Sequence, residues 1–333
     1  MRVPLIIYID QNHWDKLEKV YYSKLKNDLI QDVLNKLNLL KSSNKIKIIL
    51  DLQRAIETAQ RTYDDSRIDL SNLMFTLSDE SFVIPWVYLQ DIEIENFFLR
   101  KQGKSENFIR EIAIGKGFSY MMGETPEVQS DSLNSDELTL INEKLKEYYP
   151  DLMKIQFERY KNKDEQVQLE QVHRAEEARK ILFQMDSDDE RKQLLIEKNF
   201  IFLMRDIMNF LKLTDEKKAT ISDIEYATNA LLASKTIPHN LKDNRKRVRF
   251  MKEFPIIYTH STLVSFRDRD LRRKIDPNDL IDIASYAVPI AYLDVVLGEK
   301  YFITLAKQAK LDELYGCRLF SKMETFFDFL NQI

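Results

Sequence analysis

Residues 3–12 read VPLIIYIDQN, and this stretch decides the fold class. Its first seven residues form a compact apolar run rich in β-branched side chains, which predicts a buried strand of a parallel sheet. Asp10 ends the run, and a helical pattern begins near His13 or Trp14. A buried strand that ends in a carboxylate and turns into a helix is typical of the ligand-binding edge of an α/β sheet.

Further strand-like runs lie towards both ends of the chain. They are residues 81–86 (SFVIPW), 293–297 (LDVVL) and 318–320 (RLF), and residues 45–50 (KIKIIL) fit either a strand or the start of a helix. Each run is short and apolar, which is the pattern of a strand buried on both faces of a sheet.

The middle of the chain has a helical pattern instead. Apolar positions recur at helical spacing from about residue 136 to 250, and glycine is rare, with 6 in the whole chain. We therefore predict an α/β fold in which a parallel sheet flanked by helices is interrupted by a mostly α-helical insertion. The predicted divisions are 1–103 and 271–333 for the core and 104–270 for the insertion.

The composition excludes several classes of protein. The chain has 333 residues, a formal net charge of −4, 44% hydrophobic and 31% charged residues, which is a globular balance. A single cysteine, Cys317, cannot build a disulfide framework, so we expect a reducing, cytoplasmic setting. The first apolar run is too short for a signal peptide, and no segment reaches the roughly 20 apolar residues that span a bilayer.

Acidic residues follow or flank the predicted strands. Metal-dependent hydrolysis of a phosphodiester needs several carboxylates on one spot, because Mg²⁺ and Mn²⁺ prefer oxygen ligands. The leading candidates are Asp10, Glu93, Asp282 and Glu299, and the additional ones are Asp279 and Asp294.

The candidates that follow or precede a strand also have structural interpretations. Asp10 fits a helix N-cap as well as it fits a metal ligand. Glu93 fits a solvated helix position, which is the usual place of a lone glutamate. Asp294 precedes an apolar strand and fits a turn.

The remaining three candidate acids differ in their alternative roles. Asp279 stands at a predicted helix start, where capping is the favoured role. Glu299 is followed by Lys300 and fits a surface ion pair. Asp282 lies in the apolar stretch LIDIASYAV, where a carboxylate needs a partner or a metal, so the metal role is favoured there.

The order of these motifs resembles that of PIN and PIN-like nucleases. An apolar strand followed by Asp10 and, two residues later, Asn12 matches the opening of that family. Towards the C-terminus, Asp282 and Glu299 stand 17 residues apart, and an apolar strand lies between them. Phe302 then takes the place of the family's aromatic residue. The chain departs from the pattern where Glu299 replaces an aspartate and Leu297 replaces the common threonine.

The resemblance implies a parallel sheet, a bound Mg²⁺ or Mn²⁺, and cleavage of RNA or another single-stranded nucleic acid. The second acid of the pattern is Asp91 or Glu93, and Glu93 is preferred. The residues that the resemblance implies as metal ligands are Asp10, Glu93, Asp282 and Glu299, with Asp294 in support. Only the resemblance suggests the biological setting, a bacterial toxin or a phage-defence effector.

Two basic clusters precede the C-terminal acids. The first, residues 242–252, carries Lys242, Arg245, Lys246, Arg247, Arg249 and Lys252, together with Phe250, which is placed to stack on a base. Phosphate contact is favoured there over a solvated helix face. The second, residues 267–274, is interrupted by Asp268 and Asp270, so local ion pairing is an equal alternative.

The main expectation is therefore a divalent-metal-dependent endoribonuclease. One alternative is a non-catalytic PIN-like scaffold that binds a protein, and another is a DNA-directed nuclease with the same chemistry. The pattern is compatible with a regulatory protein partner and with a homo-oligomer. The four histidines have no zinc-ligand spacing, and the chain has no glycine-rich phosphate loop.

Overall fold

A computed structural model gives the fold of the chain. The structure describes residues 3–117, 172–211 and 243–333, together with residues 120, 121, 123, 134, 137, 140, 141, 169, 170, 231 and 241. Much of the predicted insertion, including Lys242, lies outside the described residues. The chain divides into two compact units, one of Met1–Pro85, Arg110–Glu170 and Val288–Ile333, the other of Trp86–Ile109 and Gln171–Ala287.

The first unit contains a four-stranded sheet in the order β2-β1-β5-β6. The strands are β1 (Leu5–Ile9), β2 (Ile46–Ile49), β5 (Val295–Leu297) and β6 (Arg318–Phe320). All neighbouring pairs are parallel, and β1 lies in register with β5 so that Ile9 faces Leu297. The predicted parallel sheet is confirmed, and the ambiguous run at 45–50 is a strand.

A second, two-stranded sheet belongs to the same unit. β3 (Ser81–Val83) pairs antiparallel with β4 (Ile114–Lys116), and Leu50, just after β2, forms a single parallel bridge to Phe82. The strand predicted at 81–86 is therefore present but shorter. β4 was not predicted, because Ile114–Lys116 carries only one apolar side chain in an irregular stretch.

Helices cover the parallel sheet of the first unit. The N-terminal part of the chain supplies α1 (Gln11–Tyr21), α2 (Asp28–Ser42), α3 (Leu52–Ala59), α4 (Asp64–Ser78) and the short α6 (Ile109–Ile112). The C-terminal part supplies α11 (Lys300–Gln308), α12 (Leu311–Tyr315) and α13 (Met323–Leu330). Their apolar faces bury Trp14, Leu17, Leu37, Leu73 and Phe326 against the strands. Burial of such side chains contributes about 1.5–3 kcal/mol each, so this core holds the sheet in place.

The second unit is helical in all its described elements. It contains α5 (Trp86–Lys101), α7 (Asp188–Phe210), α8 (Asn244–Met251) and α9 (Pro255–Arg269), and α10 (Asp279–Tyr292) begins in it; residues 172–183 are helical as well. Its core is aromatic: Phe97, Phe250 and Phe254 have ring centroids 5.2–5.5 Å apart. Phe250 is 3% exposed, so the expectation that it stacks on a base is wrong.

The observed division differs from the predicted one at both boundaries. Residues 86–103 join the helical unit, because Ile94 and Phe97 of α5 pack into its aromatic core. Among the described residues, no helix combines the length and apolarity that crossing a membrane requires.

Candidate functional site at the carboxyl edge of the parallel sheet

Asp10 occupies the N-cap position of α1 but does not act as a cap. Its backbone is extended, and its side chain makes no capping hydrogen bond. The carboxylate is 4% exposed and instead accepts a hydrogen bond from the guanidinium of Arg54. Because a capping aspartate would accept from the first helical turn, the N-cap interpretation of this carboxylate is wrong.

Arg54 gathers three carboxylates around one buried positive charge. It lies in the first turn of α3 and is 1% exposed. Nη1 donates to Asp10, Nη2 donates to Oε1 of Glu57 at 3.0 Å, and Nε lies 3.5 Å from Oδ1 of Asp51. A buried guanidinium needs such partners, since an unpaired charge in the interior is strongly unfavourable.

The strand order explains why these residues meet. Asp51 follows β2 and Asp10 follows β1, and parallel neighbouring strands end at the same edge of a sheet. Asp51 then caps α3, accepting from the Arg54 amide at 2.8 Å and from the Tyr8 hydroxyl at 2.9 Å. Glu57 stands one turn after Arg54 in α3, so both side chains share one helix face.

The surroundings of the Glu57 carboxyl disfavour its charged form. Burial is the largest cause, repulsion from Asp10 and Asp51 adds to it and Arg54 opposes it, and together they raise the pKa of the carboxyl to about 7. Its side chain is 27% exposed, whereas Asp10 and Arg54 are closed to solvent. A partly exposed carboxyl with a pKa close to the working pH suits the transfer of a proton.

His13 joins the first turn of α1 to the residues that follow β5. Burial lowers the pKa of its imidazole, so the ring is neutral at pH 7, and Nε2 donates to the Gly298 carbonyl at 3.2 Å. Glu299 follows Gly298 and takes the N-cap position of α11 without a side-chain capping bond. The β1–β5 register therefore places Glu299 at the same sheet edge as Asp10.

Asp294 lies at the opposite edge of the sheet. Its Oδ2 accepts from the Ile6 amide at 2.7 Å and from Arg110, which anchors the start of β5 beside the start of β1. Asp10 follows Ile6 by four positions of extended chain, a rise of about 13 Å. The expectation that Asp294 supports a metal with Asp10 is therefore wrong.

Glu93 lies in the helical unit, where it caps a helix. Its Oε1 accepts from the Ile256 amide at 2.8 Å, in the first turn of α9. The residue is 2% exposed, so the interpretation as a solvated helix residue is wrong. Asp91, the alternative second acid, is exposed. Glu57 is instead the glutamate that the structure joins to Asp10 through Arg54.

Asp279 and Asp282 also belong to the helical unit. The Asp279 carboxylate is buried, accepts from both terminal nitrogens of Arg273 at 2.5 and 2.7 Å, and accepts from the Asp276 amide at 3.0 Å. It is thus occupied in holding the turn before α10. Asp282 is half-buried in the first turn of α10 and stays a predicted ligand.

The donor set fits a hard divalent cation in chemistry and charge. Three carboxylates surround one guanidinium, which leaves an excess of negative charge, and carboxylate oxygens are preferred by Mg²⁺ and Mn²⁺. Two further buried acceptors of the first unit, Gln11 Oε1 and His13 Nδ1, have no hydrogen-bond partner within the described ranges. Buried acceptors of this kind fit an additional ligand or water.

The positions of these carboxylates fit a bound cation less well than their chemistry does. Across the described residues, no three His, Cys, Asp or Glu side chains have the spacing to hold an ion. Asp10 and Glu57 are both directed at Arg54, so a cation would compete with the guanidinium for them.

Sequence patterns missed Asp51, Arg54 and Glu57. One signal was present, since Asp51 ends the run KIKIIL as Asp10 ends the first strand. The ambiguity between strand and helix at 45–50 hid it. Glu57 in AIETA has no local feature that separates it from a solvated helix residue.

The chain was compared with models of protein families, with curated proteins and with solved structures, and none of the three comparisons gave a match. The site is therefore interpreted from its own residues, and the PIN-like resemblance stays a prediction.

We expect Glu57→Gln to stabilise the protein increasingly as the pH rises from 5 to 8. Between its ordinary pKa and about 7, the unfolded chain loses the Glu57 proton while the folded protein keeps it, so wild-type stability falls as pH rises. A glutamine side chain cannot ionise, so the variant escapes this loss. Urea unfolding of both proteins at several pH values measures the difference; a pH-independent difference would show that Glu57 ionises freely.

Proposed function

We propose that the chain is a divalent-metal-dependent nuclease, most specifically an endoribonuclease, with its active site at the carboxyl edge of the parallel sheet. One observation carries the proposal: Asp10, Asp51 and Glu57 converge there on the buried Arg54, and the pKa of Glu57 is about 7. The choice of RNA rests on the resemblance to PIN-like nucleases.

Asp10 and Glu299 would hold Mg²⁺ or Mn²⁺ at this edge of the sheet. When bound, such an ion makes water more acidic and neutralises charge on the phosphate. Asp10 and Glu299 lie just beyond the ends of neighbouring strands, which fixes their backbones. Glu57 replaces Glu93 as the second acid of the proposed site.

The residues of the chain have separable roles in hydrolysis. A bond forms from the water oxygen to phosphorus, one ester P–O bond breaks, and the leaving oxygen takes a proton from solvent. Glu57 accepts the proton that the water loses, because it is partly exposed and its pKa is near neutral. Arg54 is too buried to touch a substrate and positions Asp10 and Glu57.

The test uses labelled single-stranded RNA and DNA of the same sequence, with Mg²⁺, Mn²⁺ or EDTA. We expect RNA cleavage that requires the ion and is abolished by Asp10→Asn. Asp294→Asn is the matched control, since it removes a carboxylate from the opposite edge of the same sheet. Cleavage that survives EDTA or Asp10→Asn would overturn the proposal. Preferential cleavage of DNA would mean that the substrate is DNA and not RNA.

One observation favours a second candidate, a non-catalytic scaffold that binds a protein partner. The carboxylates face Arg54, and no described set of ligands is spaced for an ion. A folded wild-type protein that cleaves neither strand with either metal would support the scaffold.

A further inference from the structure

Helix α8 of the second unit and its C-cap residue present a row of basic side chains that have no acidic partners among the described residues. Arg245, Arg249 and Lys252 recur at spacings of four and three residues, which places them within about 60° of arc on a helix. Lys246 extends the same surface, and all four side chains are exposed. We call these four residues the α8 stripe.

Ion pairing separates the α8 stripe from the other basic residues nearby. Within the part of the chain that the structure describes, none of its four side chains forms an ion pair. Lys252 lies over the Tyr258 ring at 5.6 Å, a contact that leaves its charge uncompensated. Arg247, in contrast, pairs with Glu197 at 3.6 Å and lies over the Phe200 ring. Arg247 is therefore partly buried and already paired, so it is not part of the stripe.

The second basic cluster is paired almost throughout. Arg267 binds Asp268, Arg269 binds Asp188 and Arg273 binds Asp279. The local ion pairing that the sequence left open is thus confirmed for that cluster. Exposed cations without acidic partners are the ones free to take an external anion, so the α8 stripe stands apart.

The α8 stripe sits on a fixed support. The opposite side of α8 buries Phe250 and Met251 in the aromatic core, and Asp243 caps the helix by accepting from the Arg245 amide at 2.8 Å. Because the backbone is already held, ligand binding would not have to order the backbone of this segment.

The geometry points to a polyphosphate ligand, and we propose that the α8 stripe binds the sugar-phosphate backbone of the strand that the nuclease cleaves. This inference rests on the proposed function. Residues 245–252 span about 10 Å of helix axis, close to the rise of about three nucleotides of one strand. The chain as a whole is acidic, at −4, so the stripe is a local feature and not a consequence of composition.

The surroundings of the stripe favour nucleic acid over a membrane. The aromatic residue beside it, Phe250, is buried, so the stripe offers no apolar side chains for insertion into lipid. With no base-stacking residue in the stripe, contact is to phosphates and independent of sequence.

Binding is tested in the full chain carrying Asp10→Asn, so that cleavage does not interfere. Fluorescence anisotropy with labelled single-stranded RNA compares Arg245→Glu/Arg249→Glu with Lys26→Glu/Lys322→Glu, a control of equal charge on exposed lysines of the first unit. We expect the stripe variant to weaken binding at least tenfold and the control less than twofold. The slope of log affinity against log salt should become less steep by about 1.4, which is about 0.7 for each of two lost phosphate contacts.

Several outcomes would overturn the inference: no binding of RNA by the parent protein, equal effects of both variants, or an unchanged salt slope. Competition by poly-glutamate as strong as that by RNA would assign the stripe to an acidic protein instead. The two proposals fail separately. If RNA binding depends on the stripe but the protein that retains Asp10 cleaves no RNA, the proposed nuclease activity is wrong. If that protein cleaves RNA equally well with and without the stripe substitutions, the proposed binding of the strand by the α8 stripe is wrong.

Discussion

Arg54→Met is expected to lower the free energy of unfolding by about 3–5 kcal/mol, the usual consequence of removing one partner from a buried ion pair. The substitution replaces the stem of the arginine side chain but leaves Asp10, Asp51 and Glu57 without their shared cation. Three like charges would then lie together, those of Asp10 and Asp51 on buried side chains. Urea unfolding at pH 8 measures the loss.

Arg61→Met is the matched control for this prediction. Arg61 pairs with Asp15 in the same unit, but Asp15 is 35% exposed, and such pairs contribute at most about 1 kcal/mol. The Arg54 effect should also shrink at pH 5, because burial raises the pKa values of Asp51 and Glu57 and protonation removes their repulsion. Equal losses for the two variants would mean that Arg54 does not neutralise a buried cluster.

Glu57→Gln is expected to slow RNA cleavage by about 10²- to 10⁴-fold, the usual contribution of a general base. The glutamine side chain fills the same space and can still accept from Arg54, but it cannot take a proton. The measurement is the single-turnover rate at pH 7.5 with saturating metal, corrected for the folded fraction.

Glu93→Gln discriminates between the two candidate second acids. The amide oxygen of the variant can still accept from the Ile256 amide, so the cap of α9 is kept and the cleavage rate should stay near wild type. The reverse pattern, a slow Glu93→Gln and an active Glu57→Gln, would restore the assignment made from the resemblance.

Local sequence patterns were sufficient to predict the parallel sheet and the position of Asp10 at one edge of it. The apolar runs at 3–9 and 293–297 each signal a buried strand, and an acid directly after a strand lies at a sheet edge whatever the strand order. Asp294 shows the limit of this reasoning. A residue just before a strand lies at the other edge, so its position within the run decides which site it can join.

The remaining residues depend on contacts that no local pattern contains. Glu93 caps α9 through the amide of Ile256, which lies 163 residues later in the chain, and its burial follows from that contact. Glu57 becomes part of the site only because β2 lies next to β1, which brings α3 to Asp10. Phe250 stands among basic residues in sequence, yet the helix turns it into the aromatic core.

The pH dependence of single-turnover RNA cleavage tests the central claim most directly. Between pH 5 and 9 with saturating Mg²⁺, we expect the rate to rise up to tenfold per pH unit and to level off by about pH 7, as Glu57 loses its proton. A bound cation moves this bend to lower pH, because positive charge favours the carboxylate. A rate that continues to rise tenfold per unit above pH 7.5, or a wild-type profile in Glu57→Gln, would contradict a catalytic site built on Asp10, Arg54 and Glu57.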